Sequence, residues 1–317
     1  MKKLVIITGP TAVGKTNISI KLAKAINGEI ISADSIQVYK YMDIGSAKIS
    51  PKEMDGIKHY LVDELEPDVD FNVYLFKQMA TQAIEEIYNK GKIPIIVGGT
   101  GFYIQSVLYD INFSNEDGDI LYRKELEMIS KEQGPKVLHD MLRQVDPCSA
   151  DEIHFNNVKR VIRALEFYKK TGKKISDHNK EQRENSSKYN FCYFVLNDDR
   201  EKLYTRIEKR VDLMIDNGLV EEVKSLMDKG YNLNCNSMQG IGYKEIVSYL
   251  ENKCSLEEAV NQIKLNTRHF AKRQLTWFRR EKLVYMINID ELDYNQDILL
   301  EKMLIELKKL HIIKDNE

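Results

Sequence analysis

Apolar residues along the chain switch between two spacings, and the switching predicts an architecture. Leu4 to Ile7 is a short β-branched run, followed by a glycine-punctuated loop and then by Ile18, Leu22, Ala23 and Ile26 at helical spacing. That is strand, loop, helix. Glu29 to Ser32 predicts a second strand ending at Ala33-Asp34-Ser35, residues 74 to 88 predict a helix, and Ile93-Pro94-Ile95-Ile96-Val97 predicts a buried strand stopping at Gly98-Gly99. Strands alternating with helices imply parallel β/α units, in which ligands gather at the carboxyl ends of the strands. All three loops lie at that edge.

From 115 to 189 the texture changes: apolar spacing is helical and strand candidates vanish. Polar segments border the stretch, Ser114-Asn115-Glu116-Asp117-Gly118 before it and Glu184-Asn185-Ser186-Ser187 at its end. We read a helical insertion at 115–189 that divides a core into 1–114 and 190–317. Phe191 to Leu196 predicts a returning core strand, followed by helices near 200–217, 219–229, 241–250 and 256–281, a last strand at 284–287 and a helix at 297–310. A length of 317 residues agrees with two units, being about twice a typical domain of ~150.

Net charge says little about partners, because 47 Lys and Arg face 49 Asp and Glu. Distribution says more. Residues 159 to 174 hold Lys159, Arg160, Arg163, Lys169, Lys170, Lys173 and Lys174 against Glu166 alone, and residues 264 to 282 hold seven basic side chains against Glu281. Two basic patches are therefore expected in a near-neutral molecule. Cys148, Cys192, Cys235 and Cys254 are too scattered for a metal knuckle and too few for a disulfide scaffold, so four free thiols in a reducing compartment are expected. The first apolar run is too short for a signal peptide, and no stretch approaches the ~20 apolar residues of a membrane helix. The cytoplasm is the expected location.

Gly9-Pro10-Thr11-Ala12-Val13-Gly14-Lys15-Thr16 fulfils the G-x-x-x-x-G-K-[ST] pattern after a strand and at the start of a helix. The expected fold is therefore α/β, a P-loop NTPase-like parallel sheet flanked by helices, with an inserted helical domain. Glycines let backbone N–H groups wrap a diphosphate, the helix N-terminus adds partial positive charge, Lys15 neutralises the terminal phosphate and the Thr16 hydroxyl suits magnesium. The loop does not say which phosphorylated molecule it holds. Where a P-loop ATPase places its magnesium-positioning aspartate, this chain has Gly98-Gly99-Thr100-Gly101, which weighs against ATP hydrolysis.

Six further strings accompany the loop: Asp34-Ser35-Ile36-Gln37-Val38-Tyr39, Asp43-Ile44-Gly45-Ser46-Ala47-Lys48, Gly98-Gly99-Thr100-Gly101-Phe102-Tyr103, Arg160-Val161-Ile162-Arg163-Ala164-Leu165-Glu166, Gln239-Gly240-Ile241-Gly242-Tyr243-Lys244-Glu245 and the run from Thr267 to Arg279. Together, in chain order, they resemble the tRNA dimethylallyltransferase family. The departures are small: Phe102 stands where leucine is frequent, and the segment from Ile57 to Asp63 has one histidine where many members have two. The end at Glu317 lacks the Cys/His extension of eukaryotic relatives, so the bacterial-type form without zinc is expected.

The resemblance implies transfer of a dimethylallyl group from dimethylallyl diphosphate to N6 of adenosine 37 in the anticodon loop of tRNAs, with release of diphosphate. It implies Asp34 as general base at the amine, although position alone also suits a helix cap or a magnesium contact. Thr11 and Arg210 are implied at the departing diphosphate, with Arg206, one turn earlier, as the rival of Arg210. Lys15 and Thr16, with Mg2+, are implied at its far end. Asp34, Ser35, Ile36, Gln37 and Thr100 are implied at the target nucleotide, which must be flipped from its stack. Arg123, the run Lys159-Arg160-Val161-Ile162-Arg163, and Gln239, Gly240, Gly242, Tyr243 and Lys244 are implied to hold the tRNA anticodon stem-loop. Trp277, Phe278 and His269 fit core packing better than stacking on bases. A monomer is expected. A small-molecule kinase of the shikimate or adenylate type is the alternative enzyme, and a non-catalytic RNA-binding module a third reading; the first leaves the long basic C-terminal helix without a task and the second leaves the phosphate loop idle.

Overall fold

Burial on both faces explains why the strand segments read as unbroken apolar runs rather than alternating ones. The computed structural model describes residues 1–113 and 120–314. Six parallel strands form one sheet: β1 (Lys2–Thr8), β2 (Gly28–Ala33), β3 (His59–Tyr60), β4 (Ile93–Gly98), β5 (Tyr189–Asn197) and β6 (Val284–Asn288), in the order β3-β2-β4-β1-β5-β6. The register sets Thr8 opposite Gly98, Gly98 opposite Ala33, and Thr8 opposite Val195. The loops after β1, β2 and β4 therefore emerge side by side.

The helices, in chain order, are α1 (Lys15–Ala25), α2 (Val73–Asn89), α3 (Gly101–Leu108), α4 (Ile120–Gln133), α5 (Pro135–Val145), α6 (Pro147–Glu152), α7 (Val158–Thr171), α8 (Ile175–Glu184), α9 (Arg200–Asp216), α10 (Leu219–Asp228), α11 (Tyr243–Leu250), α12 (Leu256–Phe278) and α13 (Gln296–Lys309). Side chains define several starts: Asn72 accepts the N–H groups of Tyr74 and Leu75 to open α2, and Ser255 and Glu258 form a reciprocal box that opens α12. No helix among the described residues is long and apolar enough to cross a membrane.

Two compact units result. One comprises Met1–Leu108 and Lys188–Glu317, the other Tyr109–Ser187. The insertion thus starts earlier than the sequence reading of 115–189 and ends sooner, because Tyr189 opens β5, paired with Lys2. The polar segment from Ser114 to Gly118 lies outside the described residues. The second unit has its own core of Leu126, Leu138, Leu142, Ala150, Val161, Ile162, Ala164 and Leu165.

Glu29, only 3% exposed on β2, joins three neighbouring segments. It accepts hydrogen bonds from Lys92 Nζ at 2.8 Å, Lys90 Nζ at 2.9 Å and the Tyr60 hydroxyl at 2.9 Å. Burial alone pushes its carboxyl up, but the three donors outweigh burial and hold it at about 2. A depressed carboxyl stabilises the fold above its unfolded-state value, and that stability is lost as pH falls toward the folded-state value. Glu29→Gln is expected to lower unfolding free energy by up to about 3 kcal/mol at pH 7, with the gap closing between about pH 4.5 and 2. Urea titrations across that range check it, and a gap that does not change with pH would remove the ion-pair explanation.

Candidate active site

The phosphate loop leaves β1 at Thr8, whose hydroxyl donates to the Gly98 carbonyl at 2.6 Å. Gly9 has φ +144°, and a Cβ there would stand 2.4 Å from the carbonyl oxygen of Leu196, so only glycine lets the loop pass the end of β5. Gly14, immediately before α1, has φ +95° with open space around it; here glycine serves the backbone angle alone. Val13 is buried and anchors the turn. The first N–H groups of α1 lack partners within the helix, as at any helix start, and supply donors to an anion. Lys15 folds its ammonium back onto the carbonyls of Gly9 at 3.0 Å and Pro10 at 2.8 Å. Thr16 is exposed and, with Ser19, Ser32, Gln37 and His59, lines a cavity of about 40 Å³ behind the loop.

At the end of β2, Asp34 uses one oxygen, Oδ1, to accept the N–H groups of Ile36 at 2.8 Å and Gln37 at 3.3 Å. The capping role that position alone suggests is thus real. It occupies only half of the carboxylate. Asp34 also senses two cations. Burial pushes the Lys15 ammonium down to about 7, the Arg210 guanidinium on α9 pushes it the same way, and Asp34 opposes both. Arg210 is likewise lowered by burial and raised by Asp34. Among the described residues Arg210 makes no hydrogen bond or ion pair, whereas Arg206 is bonded to the buried Asp198, which also accepts from the Tyr294 hydroxyl at 2.9 Å. The structure therefore separates the two rivals: Arg206 is tied into the fold and Arg210 belongs to the cluster at the loop. Two desolvated cations facing one carboxylate leave an excess positive charge, which an anion of several charges would relieve.

The end of β4 closes the group. Thr100 donates its N–H to the Ala33 carbonyl at 3.2 Å, tying the β4 loop to the end of β2. A Cβ on Gly98 would lie 2.3 Å from that same carbonyl oxygen, and one on Gly101 would lie 2.2 Å from the Trp277 ring. From α12, Gln274 inserts its amide between the loops: Oε1 accepts from Thr11 N–H at 2.9 Å and Nε2 donates to the Gly99 carbonyl at 3.0 Å. Sequence reasoning assigned no role to Gln274, since a glutamine inside a basic helix carries no signal of burial.

Further residues expected to meet RNA divide by exposure. Ile36 lies against the Gln239–Lys244 loop, since a Cβ on Gly240 would be 3.2 Å from Ile36 Cδ1. Gln37 stands at the same edge, but its amide is engaged: Nε2 donates to the carbonyls of Ser46 and Ala47, both at 3.3 Å, and Oε1 accepts from the Ser32 hydroxyl at 3.2 Å. Tyr243 requires correction as a side-chain contact. It is fully buried against Gly45 and donates its hydroxyl to Glu222 at 2.9 Å, so its ring faces the interior. Glu222, also unsignalled in the sequence, accepts the N–H groups of Asp43, Ile44 and Gly45 as well and so fixes the loop whose carbonyls hold Gln37. Gly242, at φ +98°, donates its N–H to Glu245 at the start of α11.

In the second unit, Val161 and Ile162 are core residues of α7, which excludes their side chains from RNA contact; Lys159, Arg160 and Arg163 on the same helix are exposed. Arg123 forms a two-pronged ion pair with Glu166, at 2.9 and 2.8 Å. On α12, Lys264 and Arg268 are paired with Asp212 and Glu208 of α9, which narrows the expected basic patch to exposed Lys272, Arg273, Arg279, Arg280 and Lys282. Phe278 is fully buried and Trp277 packs on Gly101, but His269 is exposed rather than in the core.

Known proteins resemble this chain over most of its length. The family model described as IPP transferase matches residues 37–281. A tRNA dimethylallyltransferase of Lachnoclostridium phytofermentans is 61% identical over 99% of this chain and 100% of its own length. The crystal structure of a full-length tRNA isopentenylpyrophosphate transferase from Bacillus halodurans superposes with a TM-score of 0.73 at 44% identity, covering 98% of each chain. A eukaryotic dimethylallyltransferase captured acting on tRNA gives a TM-score of 0.78 at 33% identity, over 91% of this chain and 74% of that one.

Proposed function

The chain belongs to the IPP transferase family, enzymes that transfer a dimethylallyl group to tRNA, and on that premise we propose that the group comes from dimethylallyl diphosphate held in the phosphate loop and goes to N6 of adenosine 37 in the anticodon loop. The observation that carries this reading is the gathering of two desolvated cations, Lys15 and Arg210, within electrostatic reach of a carboxylate, Asp34, that keeps one oxygen clear of its capping bonds. A kinase of the small-molecule type is not favoured by the family assignment.

The adenine amine is a weak nucleophile because its lone pair is delocalised into the ring. As the nitrogen attacks the allylic carbon, Asp34 takes the proton that the amine loses. The bond between that carbon and the diphosphate oxygen breaks, and negative charge grows on the departing oxygen. Thr11 and Arg210 stabilise it, while Lys15 and the N–H groups at the start of α1 hold the distal phosphate. A diphosphate beside it would favour the charged Lys15 ammonium, opposing the burial and the Arg210 charge that lower it. Ser35, Ile36 and Thr100 bound the space for the flipped purine, with Gln37 bracing the loop behind them. Mg2+, if bound, would be held at the Thr16 hydroxyl, a hard oxygen donor, and would supply further charge neutralisation. Exposed Lys159, Arg160, Arg163, Lys272, Arg273, Arg279, Arg280 and Lys282 would grip the stem-loop phosphates. The enzyme would work as a monomer in the cytoplasm.

Mass spectrometry of nucleosides from tRNA incubated with enzyme, dimethylallyl diphosphate and magnesium tests the reading. One dimethylallyl group on adenosine is expected. Unchanged nucleosides, together with phosphate transfer from ATP to a small acceptor, would overturn it.

A further inference from the structure

The geometry points to Gln274 of α12 as a positioning residue that sets the phosphate loop for departure of the diphosphate, by holding Thr11 N–H and the Gly99 carbonyl on one buried amide. Gln274 is 6% exposed, and both halves of its amide are used at normal hydrogen-bond lengths, 2.9 Å to Thr11 and 3.0 Å to Gly99. The fit is tight from the other side as well: a Cβ on Gly99 would come within 2.0 Å of Gln274 Nε2, so glycine at that position is what admits the amide.

Consider what the bridge does to Thr11. Backbone N–H groups of a phosphate loop ordinarily turn toward the anion. Here the Thr11 N–H is claimed by a side chain, which fixes the rotation of that peptide and so holds the backbone that carries the Thr11 hydroxyl, the group proposed at the breaking bond. Without the amide, a half-buried N–H and a buried carbonyl would each lose a partner, and the peptide would be free to turn. Gln274 also stands directly after exposed Lys272 and Arg273 on the same helix, so the bridge joins the diphosphate end of the site to a surface proposed to hold RNA. The inference rests on reading the loop as the diphosphate cradle.

Inorganic pyrophosphate is the probe, used with the full chain, beside steady-state turnover with dimethylallyl diphosphate and tRNA. Gln274→Met keeps the length of the side chain and removes both hydrogen bonds. It is expected to weaken pyrophosphate binding about tenfold and to lower kcat roughly 10- to 100-fold, with KM for tRNA within about twofold of wild type. Gly99→Ala should displace the amide and reproduce the same split. The double variant should be no worse than the poorer single one, because both changes break one bridge. Wild-type pyrophosphate affinity and kcat in both single variants, or losses that multiply in the double, would overturn the role. Should Gln274→Met fail to fold, Gly99→Ala alone decides. Failure of the wild-type enzyme to bind pyrophosphate would overturn the reading of the cradle and this role with it.

Discussion

Asp34→Asn is expected to lower kcat by at least ~100-fold while leaving KM for tRNA and the melting temperature near those of wild type. The asparagine oxygen can still accept the N–H groups of Ile36 and Gln37, which Asp34 Oδ1 accepts at 2.8 and 3.3 Å, so the turn after β2 keeps its cap. What disappears is the capacity to take a proton. Affinity for pyrophosphate should be unchanged or somewhat tighter, since the Asp34 carboxylate partly offsets the positive charge of Lys15 and Arg210. Asp34→Ala removes the cap too and should add a stability loss of about 1 kcal/mol. Comparing the two by nucleoside analysis and thermal melting separates the chemical from the structural part of one residue. Near-normal turnover in Asp34→Asn would take Asp34 out of the proton transfer.

The second large effect divides two arginines one turn apart on α9. Arg210→Ala should reduce kcat/KM for the prenyl donor by roughly 10²- to 10³-fold, the scale for removing one preorganised donor at a developing oxyanion. Its melting temperature should hold or rise, because a desolvated cation without a partner is removed. Arg206→Ala should do the reverse. It strands the buried Asp198 with only the Tyr294 hydroxyl, costing about 1–3 kcal/mol of stability, and leaves activity per folded molecule largely intact. Equal activity losses in the two variants would mean that α9 does not distinguish them in the way proposed.

Strands with both faces buried are the easiest elements to read from a chain, and β1, β2, β4 and β5 stand where their apolar runs predict. β3 escaped because two residues, His59 and Tyr60, carry no periodicity. The helix α3 also escaped: it starts at Gly101, inside a glycine-rich string that reads as a loop. The borders of the insertion shifted by a few residues, since polar composition marks exposure and does not mark where backbone pairing with β1 begins.

The same division runs through the site. The phosphate loop and Asp34 are local features, in which the glycines at 9 and 14, the lysine and the strand-to-helix setting are contiguous, so the chain by itself determines them. Lateral order was decided in three dimensions. Only the parallel register brings the ends of β1, β4 and β2 together; only tertiary packing ties Arg206 to Asp198 while leaving Arg210 unbonded, admits Gln274 beside Gly99, buries Tyr243 against Gly45, and turns Val161 and Ile162 into the separate core of the second unit. Those choices depend on which face of a helix meets its neighbour, and on whether a charge finds a partner far along the chain, as Lys264 and Arg268 do on α9. Residue type and spacing determine the local chemistry; burial and pairing, which arise between distant segments, decide which of several similar side chains performs it.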